Sequence, residues 1–550
     1  MLRRVLRPLT PALILALSVF LSCTLSAGVA PAQIRIVSPA APPAGVEGVL
    51  RRGADLEAER KWGDALSHYE DALRDTPEDA QLRERHDVAK IHYDLGRRYH
   101  DASYRRNLLA LNPGDALDSY AEVLLKIDSH YVADVDWQHL VDFGTRCVQV
   151  AVEERCFVDT HLRNASPDRI RTFRQHFDAL VRGQTVRTRQ DARGAVVAAA
   201  ALADRDLGIS PTAIILEYIC GAVDALDTYS AFLTSDQLRD VYAQIDGNFV
   251  GLGIELKADA DSLLIVNVIG GSPAAGAGIR PGDHILAVGP RSTRGISTDE
   301  AASLLQGPEN SVVELSVVTG NESPRQMSVK RRHVEVPCIE QVKIADAASG
   351  VGYLKLNSFQ RNTVKELDSA LWSLQRQGMR TLVIDLRGNP GGLLTASVDA
   401  ADRFVSQGTI VSTRGRNKLE DYDYAARQPS TWRVPLVVLI DSQSASASEI
   451  FAAAIRDHHR GTVVGNRSYG KGSVQGIFPL SIAGSGIRLT TAKFYSPSGR
   501  PISNVGVTPD VVVHSTAKPA SDGALIVAEN DEALAAALRT ARGNLAQRQP

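Results

Sequence analysis

The chain has 550 residues, of which 44% are hydrophobic, and its formal net charge is −2. This length predicts three or four domains with packed cores, and a charge so close to zero gives no electrostatic basis for binding nucleic acid. The five cysteines show no zinc-ligand spacing, and the sequence implies no metal or cofactor.

The first 32 residues are typical of a secretory signal peptide. Arg3 and Arg4 precede an apolar run over residues 12–25, and residues 30–32 (Ala-Pro-Ala) offer a small-residue cleavage site. The run is shorter than the roughly 20 residues that a membrane-spanning helix needs. We therefore expect export to a bacterial periplasm or cell envelope. Cys23 is a candidate lipid anchor, but an aromatic residue three positions before it argues against this. Membrane association is expected only through such a lipid or an uncleaved signal.

Residues 33–47 form a Pro- and Ala-rich linker, and a helical composition follows at residues 48–113. Six positions there fit one tetratricopeptide repeat (TPR), in which small residues pack against aromatic ones. They are Gly53, Trp62, Ala65, Tyr69, Ala72 and Pro77. A second, weaker copy falls at residues 89–113. We predict a TPR-like region that packs on the following helices or binds a protein partner, with an ordinary helical hairpin as the alternative.

Residues 114–240 are predicted to form a mainly helical domain without recognisable chemistry. Its histidines are too far apart in sequence for a metal site. They are His130, His139, His161 and His176. Cys147 and Cys156 are nine residues apart, which disfavours a disulfide in one straight helix. A break in the helix would allow the bridge in an oxidising compartment, and otherwise we interpret the cysteines as buried apolar residues.

Residues 245–335 resemble a PDZ domain. A glycine loop opens the segment, Leu263 to Val268 form an apolar strand, and residues 272–286 contain a Ser-Pro helix start and a Pro-Gly-Asp turn. A PDZ domain adds a peptide as an extra strand and captures its C-terminal carboxylate in the glycine loop. The peptide-binding residues would be Gly251, Leu252, Gly253 and Ile254. The aliphatic residues favour apolar tails, and the alternative is a small β-domain whose glycines only form turns.

A serine-rich turn lies between a predicted buried strand, Leu436–Ile440, and a predicted helix, Glu449–Ile455. A hydroxyl in such a turn lies beside unpaired backbone N–H groups and the positive end of a helix dipole, which suits an oxyanion formed in acyl transfer. Ser448 directly precedes the predicted helix and is the better capping residue. Ser446 is then left with a free hydroxyl.

Lys471 follows 25 residues after Ser446 and stands between two glycines. A lysine can accept a serine proton at neutral pH only if its pKa falls by about 3 from near 10.4, a cost of roughly 4 kcal/mol that burial can supply. In an extended segment Gln475 would face the same side as Lys471, where its amide can orient the amine.

Three other interpretations of this region are weaker. Serines before helices are usually only caps. Residues 465–471 have the glycine and lysine spacing of a phosphate-binding loop, but Gly472 stands where such a loop requires Ser or Thr. His458 and His459 would lie roughly 18 Å from Ser446 along a continuous helix, because each residue rises about 1.5 Å. They are therefore expected at the surface.

Seven stretches closely resemble the carboxyl-terminal-processing, or tail-specific, serine proteases, and the resemblance extends over roughly residues 190–540. They include the serine turn, the lysine segment, a strand followed by a glycine turn, and the approach to the PDZ-like module. The stretches are Leu226–Leu233, Asp385–Gly392, Ser444–Ile450, Val463–Gly465, Tyr469–Gln475, Phe494–Arg500 and Gly506–Asp510.

The resemblance implies a role for each residue of the site. Ser446 would be the nucleophile, Lys471 the general base and Gln475 the residue that orients the lysine. The oxyanion hole would be formed by the backbone N–H groups of Ala447, Gly391 and Gly392. The implied enzyme is a serine endopeptidase that forms an acyl-enzyme with protein or peptide substrates whose C-termini are accessible.

The prediction is a multidomain α+β fold with a helical TPR-like N-terminal region and a PDZ β-domain. The family resemblance implies that the remaining domain is an α/β crotonase-like serine protease core. The core is expected at residues 336–515, with a contribution from residues 190–240, and residues 516–550 as a C-terminal tail with a short helix. The alternative function is a catalytically silent TPR–PDZ adaptor that tethers protein partners. The joint presence of the serine, the lysine and the glutamine argues against it, because a scaffold needs none of them.

Overall fold

The computed structural model describes residues 17–18, 45–163, 165–259, 262–294, 301, 304–320, 322–427, 431–513 and 531–546. The predicted signal peptide and most of the linker lie outside these residues, apart from a two-residue strand, β1 (Leu17–Ser18). Within the described part of the chain, no helix combines the length and the apolarity that crossing a membrane requires.

The N-terminal third is helical, and most of its helices begin at a polar cap or at a proline in the first turn. The helices are α1 (Val46–Ala58), α2 (Trp62–Asp75), α3 (Ala80–His100), α4 (Pro113–His130), α5 (Trp137–Ala151), α6 (Arg155–His161), α7 (Pro167–Arg182), α8 (Arg189–Leu207) and α9 (Pro211–Asp224), with a π-helical turn at Tyr104–Leu108.

Helices α1 and α2 form the hairpin that the repeat spacing predicts. Gly53 lies directly against Tyr69, because a Cβ atom on Gly53 would be 2.1 Å from the tyrosine oxygen. The weaker second copy does not form a hairpin within its predicted bounds, since α3 runs unbroken to His100. The TPR assignment of the first hairpin stays a prediction.

Ion pairs that are buried or partly buried connect α3 to the following helices. The Lys90 amine donates to Asp94 at 2.7 Å and to Asp224 of α9 at 2.8 Å, and Arg98 donates to the fully buried Glu217 at 2.6 Å. Burial disfavours the charged form of Lys90, but the two carboxylates outweigh it and raise the pKa of the amine. The repeat-like region therefore packs on its own chain, which is one of the two predicted arrangements.

The chain between Cys147 and Cys156 has the helix break that a disulfide would need, since α5 ends at Ala151 and α6 begins at Arg155. The bridge is nevertheless not formed. Cys147, Cys156, Cys220 and Cys338 are all free thiols, and three of them are buried. This agrees with their interpretation as apolar residues.

A short strand and a helix lead from the helical region into the PDZ domain: β2 (Ala231–Leu233) and α10 (Ser235–Asp246). The domain contains β3 (Asn248–Gly251), β4 (Ile254–Asp259), β5 (Ser262–Val268), α11 (Pro273–Gly276), β6 (Asp283–Val288), β7 (Arg291–Ser292), β8 (Val312–Thr319), β9 (Arg325–Lys330) and β10 (Arg332–Glu335). Its sheet has the order β4-β5-β6-β8-β9, so β4 is an edge strand. Strands β3 and β10 pair as an antiparallel ribbon at the two ends of the predicted PDZ range.

The protease core contains two sheets and their connecting helices. Its elements are β11 (Ile339–Asp346), β12 (Val351–Leu356), α12 (Thr363–Arg376), β13 (Thr381–Asp385), β14 (Gly392–Leu393), α13 (Leu394–Ala401), β15 (Thr409–Gly415), β16 (Tyr422–Ala425), β17 (Leu436–Ile440), α14 (Ala447–Asp457), β18 (Thr462–Gly465), β19 (Ser473–Pro479), β20 (Gly486–Tyr495), β21 (Val511–Val512) and α15 (Glu532–Ala546). A 3-10 turn at Lys418–Glu420 precedes β16.

The main sheet has the order β11-β12-β13-β17-β18-β21 and is parallel except for β11. Every residue of β13 and β17 is buried, as expected for parallel strands covered on both faces. The second sheet has the order β16-β15-β20-β19, and β2 pairs with β20. The predicted contribution of residues 190–240 to the core is therefore present as a strand.

The described part of the predicted C-terminal tail is a helix, α15, which packs on the core. Helices α12 to α14 cover one face of the main sheet, and α15 covers the other with a row of small residues. The row consists of Ala533, Ala536, Ala537 and Ala541. It packs on Val383 and Val437, whose side chains point away from α14 because strand residues alternate between faces.

Candidate active site

The candidate nucleophile lies in the turn between β17 and α14. Helix α14 begins at Ala447, so Ser446 occupies the cap position, with φ +56° and ψ −113°. Residues other than glycine rarely adopt this backbone region, and such strain is concentrated at functional sites. Ser446 is fully buried, and its Oγ has no hydrogen-bond partner among the described residues. The turn therefore holds an uncommitted hydroxyl on a strained backbone.

Ser448 is not the helix cap, contrary to the sequence prediction. It is the second residue of α14, and its hydroxyl donates to the Asn389 carbonyl at 3.0 Å. The helix starts two residues earlier than predicted, so the cap position falls on Ser446. The expectation that Ser446 keeps a free hydroxyl still agrees with the structure, because its Oγ does not act as a cap.

Glu449 joins the serine turn to the lysine segment. One carboxylate oxygen accepts from the N–H of Ser446 at 2.7 Å and from the N–H of Lys471 at 2.9 Å. The other accepts from Gly470 N at 2.7 Å and from Ser468 Oγ at 2.5 Å. Burial raises the pKa of Glu449, whereas these four donors favour the carboxylate. Both candidate residues of the dyad are thus held by one side chain, whose role sequence reasoning missed.

Lys471 lies in a pocket that excludes water, and its side chain is among the largest that are fully buried. Burial, followed by the positive charge of Arg488, lowers the pKa of the amine to about 7. The negative charges of Asp227 and Glu449 oppose this fall without reversing it. Burial therefore favours the neutral form of the Lys471 amine, which is the form that a general base requires.

Gln475 does not hydrogen-bond to Lys471 in this structure. Its amide nitrogen donates to Ser473 Oγ at 2.9 Å and to Thr490 Oγ1 at 3.5 Å, and its buried Oε1 has no partner among the described residues. The predicted alternation fails for two reasons: Lys471 precedes the strand, which begins at Ser473, and β19 has an irregular register between residues 474 and 475. The orienting contact is therefore absent here.

The glycine turn after β13 presses against the serine turn. A Cβ atom on Gly391 would lie 2.9 Å from the Cβ of Ser446 and 3.0 Å from the N of Ala447, so only glycine fits. The Gly391 N–H already donates to Asn389 Oδ1 at 2.8 Å. The N–H groups of Gly392 and Ala447 therefore remain as the predicted oxyanion hole. The Ala447 N–H has no acceptor within the helix, because Ala447 is the first residue of α14.

An ion pair anchors the start of this glycine turn. Asp385 ends β13, and its carboxylate accepts from Arg387 at 2.6 Å and from the hydroxyl of Tyr353 at 2.9 Å. Arg387 also contacts Asp531, just before α15, at 2.8 Å. The C-terminal helix therefore supports the turn that faces the nucleophile.

A second turn that sequence reasoning missed lies between α9 and β2. Asp227 and Tyr229 belong to the stretch assigned to the approach to the PDZ module, yet the Lys471 amine lies 4.7 Å from the centre of the Tyr229 ring. The stretch has a recognisable family resemblance. The sequence does not indicate that it lies at the site, because more than 200 residues separate it from Ser446.

The predicted peptide-binding residues lie in the PDZ domain and contribute nothing to the serine–lysine site. Gly253 has φ +78°, and a Cβ atom there would lie 2.3 Å from the Cβ of Ser272, so the loop requires glycine. Leu252 is buried in the domain core, whereas Ile254 begins the edge strand β4 and is partly exposed. The outer side of β4 is therefore a sheet edge to which a peptide can add as a further strand.

The N-terminal hairpin reaches the outer side of the site, since the guanidinium of Arg74 lies 5.7 Å from the centre of the Tyr469 ring. His458 is held at the end of α14 by the Thr409 carbonyl, 2.7 Å from its Nε2. Among the residues that the structure describes, no three His, Cys, Asp or Glu side chains are grouped as a metal site.

Comparison with known proteins gives consistent matches over the same segments. A model of peptidase family S41 matches residues 350–513, and a PDZ domain model matches residues 264–319. The carboxy-terminal-processing protease of Bartonella bacilliformis is 36% identical over 301 residues, which cover 54% of this chain and 68% of that protein. The carboxyl-terminal-processing protease of Synechocystis sp. is 36% identical over 324 residues, covering 58% and 75% respectively. A solved structure of a photosystem II D1 C-terminal processing protease is 25% identical, covers 72% of this chain and 93% of its own, and has a TM-score of 0.40.

Proposed function

The chain belongs to the carboxyl-terminal-processing protease family, and from this membership we propose that it is an exported endopeptidase with a Ser446–Lys471 dyad. The family relationship establishes the class of enzyme, a carboxyl-terminal-processing serine protease with a PDZ domain. The dyad, the covalent intermediate, the capture of substrate tails and the export go beyond that relationship.

In the proposed first step, the neutral amine of Lys471 removes the proton from Ser446 Oγ while the oxygen attacks the scissile carbonyl carbon. The N–H groups of Ala447 and Gly392 stabilise the oxyanion that forms. The Lys471 ammonium then gives its proton to the departing nitrogen, and the C–N bond breaks. The products are an ester on Ser446 and a free amine on the C-terminal fragment.

Water completes the reaction. The Lys471 amine takes a proton from a water molecule, whose oxygen attacks the ester carbonyl. The ammonium returns the proton to Ser446 Oγ as the ester bond breaks, and the N-terminal fragment leaves as a carboxylic acid. The same group therefore serves as base and acid in both halves of the reaction.

The observation that carries this proposal is the burial of Ser446 and Lys471 around the carboxylate of Glu449. The serine hydroxyl is uncommitted, and the amine of the lysine has a pKa of about 7. Burying a lysine amine reduces the stability of the fold, because the ammonium must either leave water or lose its proton. A protein that only tethers partners gains nothing in return for this cost. This arrangement supports a catalytic role over that of a silent adaptor.

Capture of the substrate tail is proposed for the PDZ domain. The loop over Gly251 to Ile254 would accept the terminal carboxylate through backbone N–H groups, and the edge of β4 would pair with the tail as an added strand. Leu252 is not available to select the tail because it is buried, so any apolar preference would come from partly exposed residues such as Ile254 and Leu256.

The proposal is tested with one unstructured peptide that has an apolar C-terminal residue, made with a free carboxylate and with a C-terminal amide. Amidation removes the charge that the loop would bind, and we expect kcat/KM to fall by about tenfold to a hundredfold, since a charge-assisted hydrogen bond contributes about 1.5–3 kcal/mol. Cleavage is followed by mass spectrometry of the products.

The matched control is the hydrolysis of a small chromogenic ester, which has no C-terminal tail. Its rate should be the same whether the cleavage products of the acid peptide or those of the amide peptide are present. Equal cleavage of the acid and the amide would contradict tail capture but leave the dyad intact. Binding of the acid peptide without any cleavage would favour the adaptor.

Export is proposed from the leader pattern alone, with removal near residue 32. The packing of α3 on α9 leaves the N-terminal hairpin, α1 and α2, as the surface on which a protein partner of the TPR-like region would dock.

A further inference from the structure

The turn between α9 and β2 is rigidly built. Asp227 Oδ1 accepts from the N–H of Tyr229 at 2.7 Å and of Ser230 at 2.9 Å. The same oxygen accepts from the hydroxyl of Thr490 on β20 at 3.1 Å, and Arg488 Nε of β20 donates to the Tyr229 carbonyl at 2.8 Å. The backbone of Tyr229 is therefore held from both sides, which limits where its ring can lie.

The ring of Tyr229 forms one wall of the pocket around the Lys471 side chain. The amine nitrogen lies 4.7 Å from the ring centre, within the distance at which a ring face attracts an ammonium. Lys471 is only 2% exposed, so a wall at this position also keeps water from the amine. A ring face does not replace the hydrogen bonds that water would give to the charged form.

We infer that Tyr229 is a positioning residue for the general base: its ring closes the pocket of Lys471 against water and holds the amine in one place. This inference rests on the proposed dyad. It assigns a role in the reaction to the turn between α9 and β2, which is more than 200 residues from Ser446 and from Lys471 in the sequence.

Two effects of the ring on the pKa of Lys471 oppose each other. Attraction to the ring face favours the ammonium, and exclusion of water favours the neutral amine. Burial is the largest cause of the low pKa of about 7. We expect the ring's share of that burial to outweigh its attraction for the ammonium, because a ring face attracts a cation by only about 0.5–2 kcal/mol. Removing the ring should therefore raise the pKa of the amine toward its ordinary value.

The charged and titratable groups that surround the pair are the same in each of the Tyr229 variants proposed below. Arg488 of β20, Asp227 of the turn and Glu449 of α14 act on Lys471. Tyr469 of the lysine segment and Arg74 of α2, together with Asp227 and Glu449, act on Tyr229. A change confined to the Tyr229 variants is then attributable to the ring.

The test compares the pH dependence of kcat/KM for the full-length enzyme and its Tyr229→Ala and Tyr229→Phe variants. For Tyr229→Ala we expect the rise of activity with pH to move upward by about one pH unit, which lowers kcat/KM about fivefold at pH 7 and hardly at all above pH 9. Tyr229→Phe keeps the ring and should retain the parent profile. Tyr229→Gln keeps most of the bulk but offers polar atoms to the amine, so its profile should move in the same direction as that of Tyr229→Ala.

A loss of activity in Tyr229→Ala and Tyr229→Gln that is equal at every pH would overturn the inference, because a merely structural role predicts that result. A loss in Tyr229→Phe as large as in Tyr229→Ala would also overturn it and assign the effect to the hydroxyl. Parent activity in a Lys471→Met variant would instead refute the dyad itself, whatever the Tyr229 variants do.

Discussion

A Ser446→Ala variant is expected to cleave peptides at least about 10⁴-fold more slowly than the parent enzyme, because loss of a serine nucleophile leaves only binding and oxyanion stabilisation. The variant should fold normally. Ser446 Oγ makes no hydrogen bond to any described residue, so its removal leaves no buried group unpaired. Single-turnover cleavage measured beside a thermal melt separates loss of chemistry from loss of fold.

Ser448→Ala is the matched control, since Ser448 is also buried and lies two residues away. Its hydroxyl holds the Asn389 carbonyl, and its loss should reduce stability by about 1 kcal/mol while kcat stays within about tenfold of the parent. Parent-like cleavage by Ser446→Ala, or a greater loss in Ser448→Ala, would show that the nucleophile is assigned to the wrong serine.

A Lys471→Met variant is expected to lose about 10³-fold or more in kcat at pH 8, because general-base catalysis contributes about 10²–10⁴. Methionine keeps the unbranched apolar shape and removes only the amine. At pH 8 the Lys471 amine is protonated in the unfolded chain. In the folded enzyme, where burial lowers the pKa of the amine to about 7, most of this proton is released. The buried amine therefore costs stability at this pH, and the variant should melt no lower than the parent.

The pH profile of the parent should rise through about pH 7, since the neutral amine is the active form. A histidine base would give a similar rise, because its ordinary pKa is about 6.5. The Lys471→Met variant decides between them: a histidine base predicts that the rise survives at near-parent activity, and a lysine base predicts that activity is lost throughout. A Lys471→Arg variant should be equally inactive, because a guanidinium stays protonated.

The local structure around Ser446 and Lys471 was predictable from the sequence, whereas their catalytic roles stay predictions. The strand, turn and helix around Ser446 are a local pattern, and glycines beside Lys471 mark a close backbone approach that the structure contains: a Cβ atom on Gly472 would lie 2.1 Å from the N of Ser503. The PDZ module and the α/β core were predictable in a different way, because their motifs resemble those of known protein families.

Gln475 shows where local periodicity fails. Its predicted contact with Lys471 assumed a regular strand from residue 471 to residue 475, but β19 starts at Ser473 and is irregular beside the glutamine. The capping prediction for Ser448 fails in a similar way. The helix begins at Ala447, and the Ser448 hydroxyl donates to the carbonyl of Asn389 in the loop after β13. Tertiary contacts decide both positions, and a sequence pattern does not contain them.

The largest gap concerns contacts between segments far apart in the chain. Glu449 was interpreted only as a helix residue, although its carboxylate binds the backbone of the lysine segment. Tyr229 reaches Lys471 only because β2 pairs with β20. The short helix predicted in the C-terminal tail is present after Asp531, but its packing on the main sheet was not predicted, because a row of alanines gives only a weak apolar signal.

The central claim is that Ser446 itself attacks the substrate, and covalent labelling of the nucleophile tests it most directly. The full-length enzyme would be reacted with a fluorophosphonate, digested and mapped by mass spectrometry. The adduct is predicted on Ser446, absent from Ser444 and Ser448, slowed in Lys471→Met and lost in Ser446→Ala. An adduct on another residue that inactivates the enzyme, with Ser446 unmodified, would contradict the account.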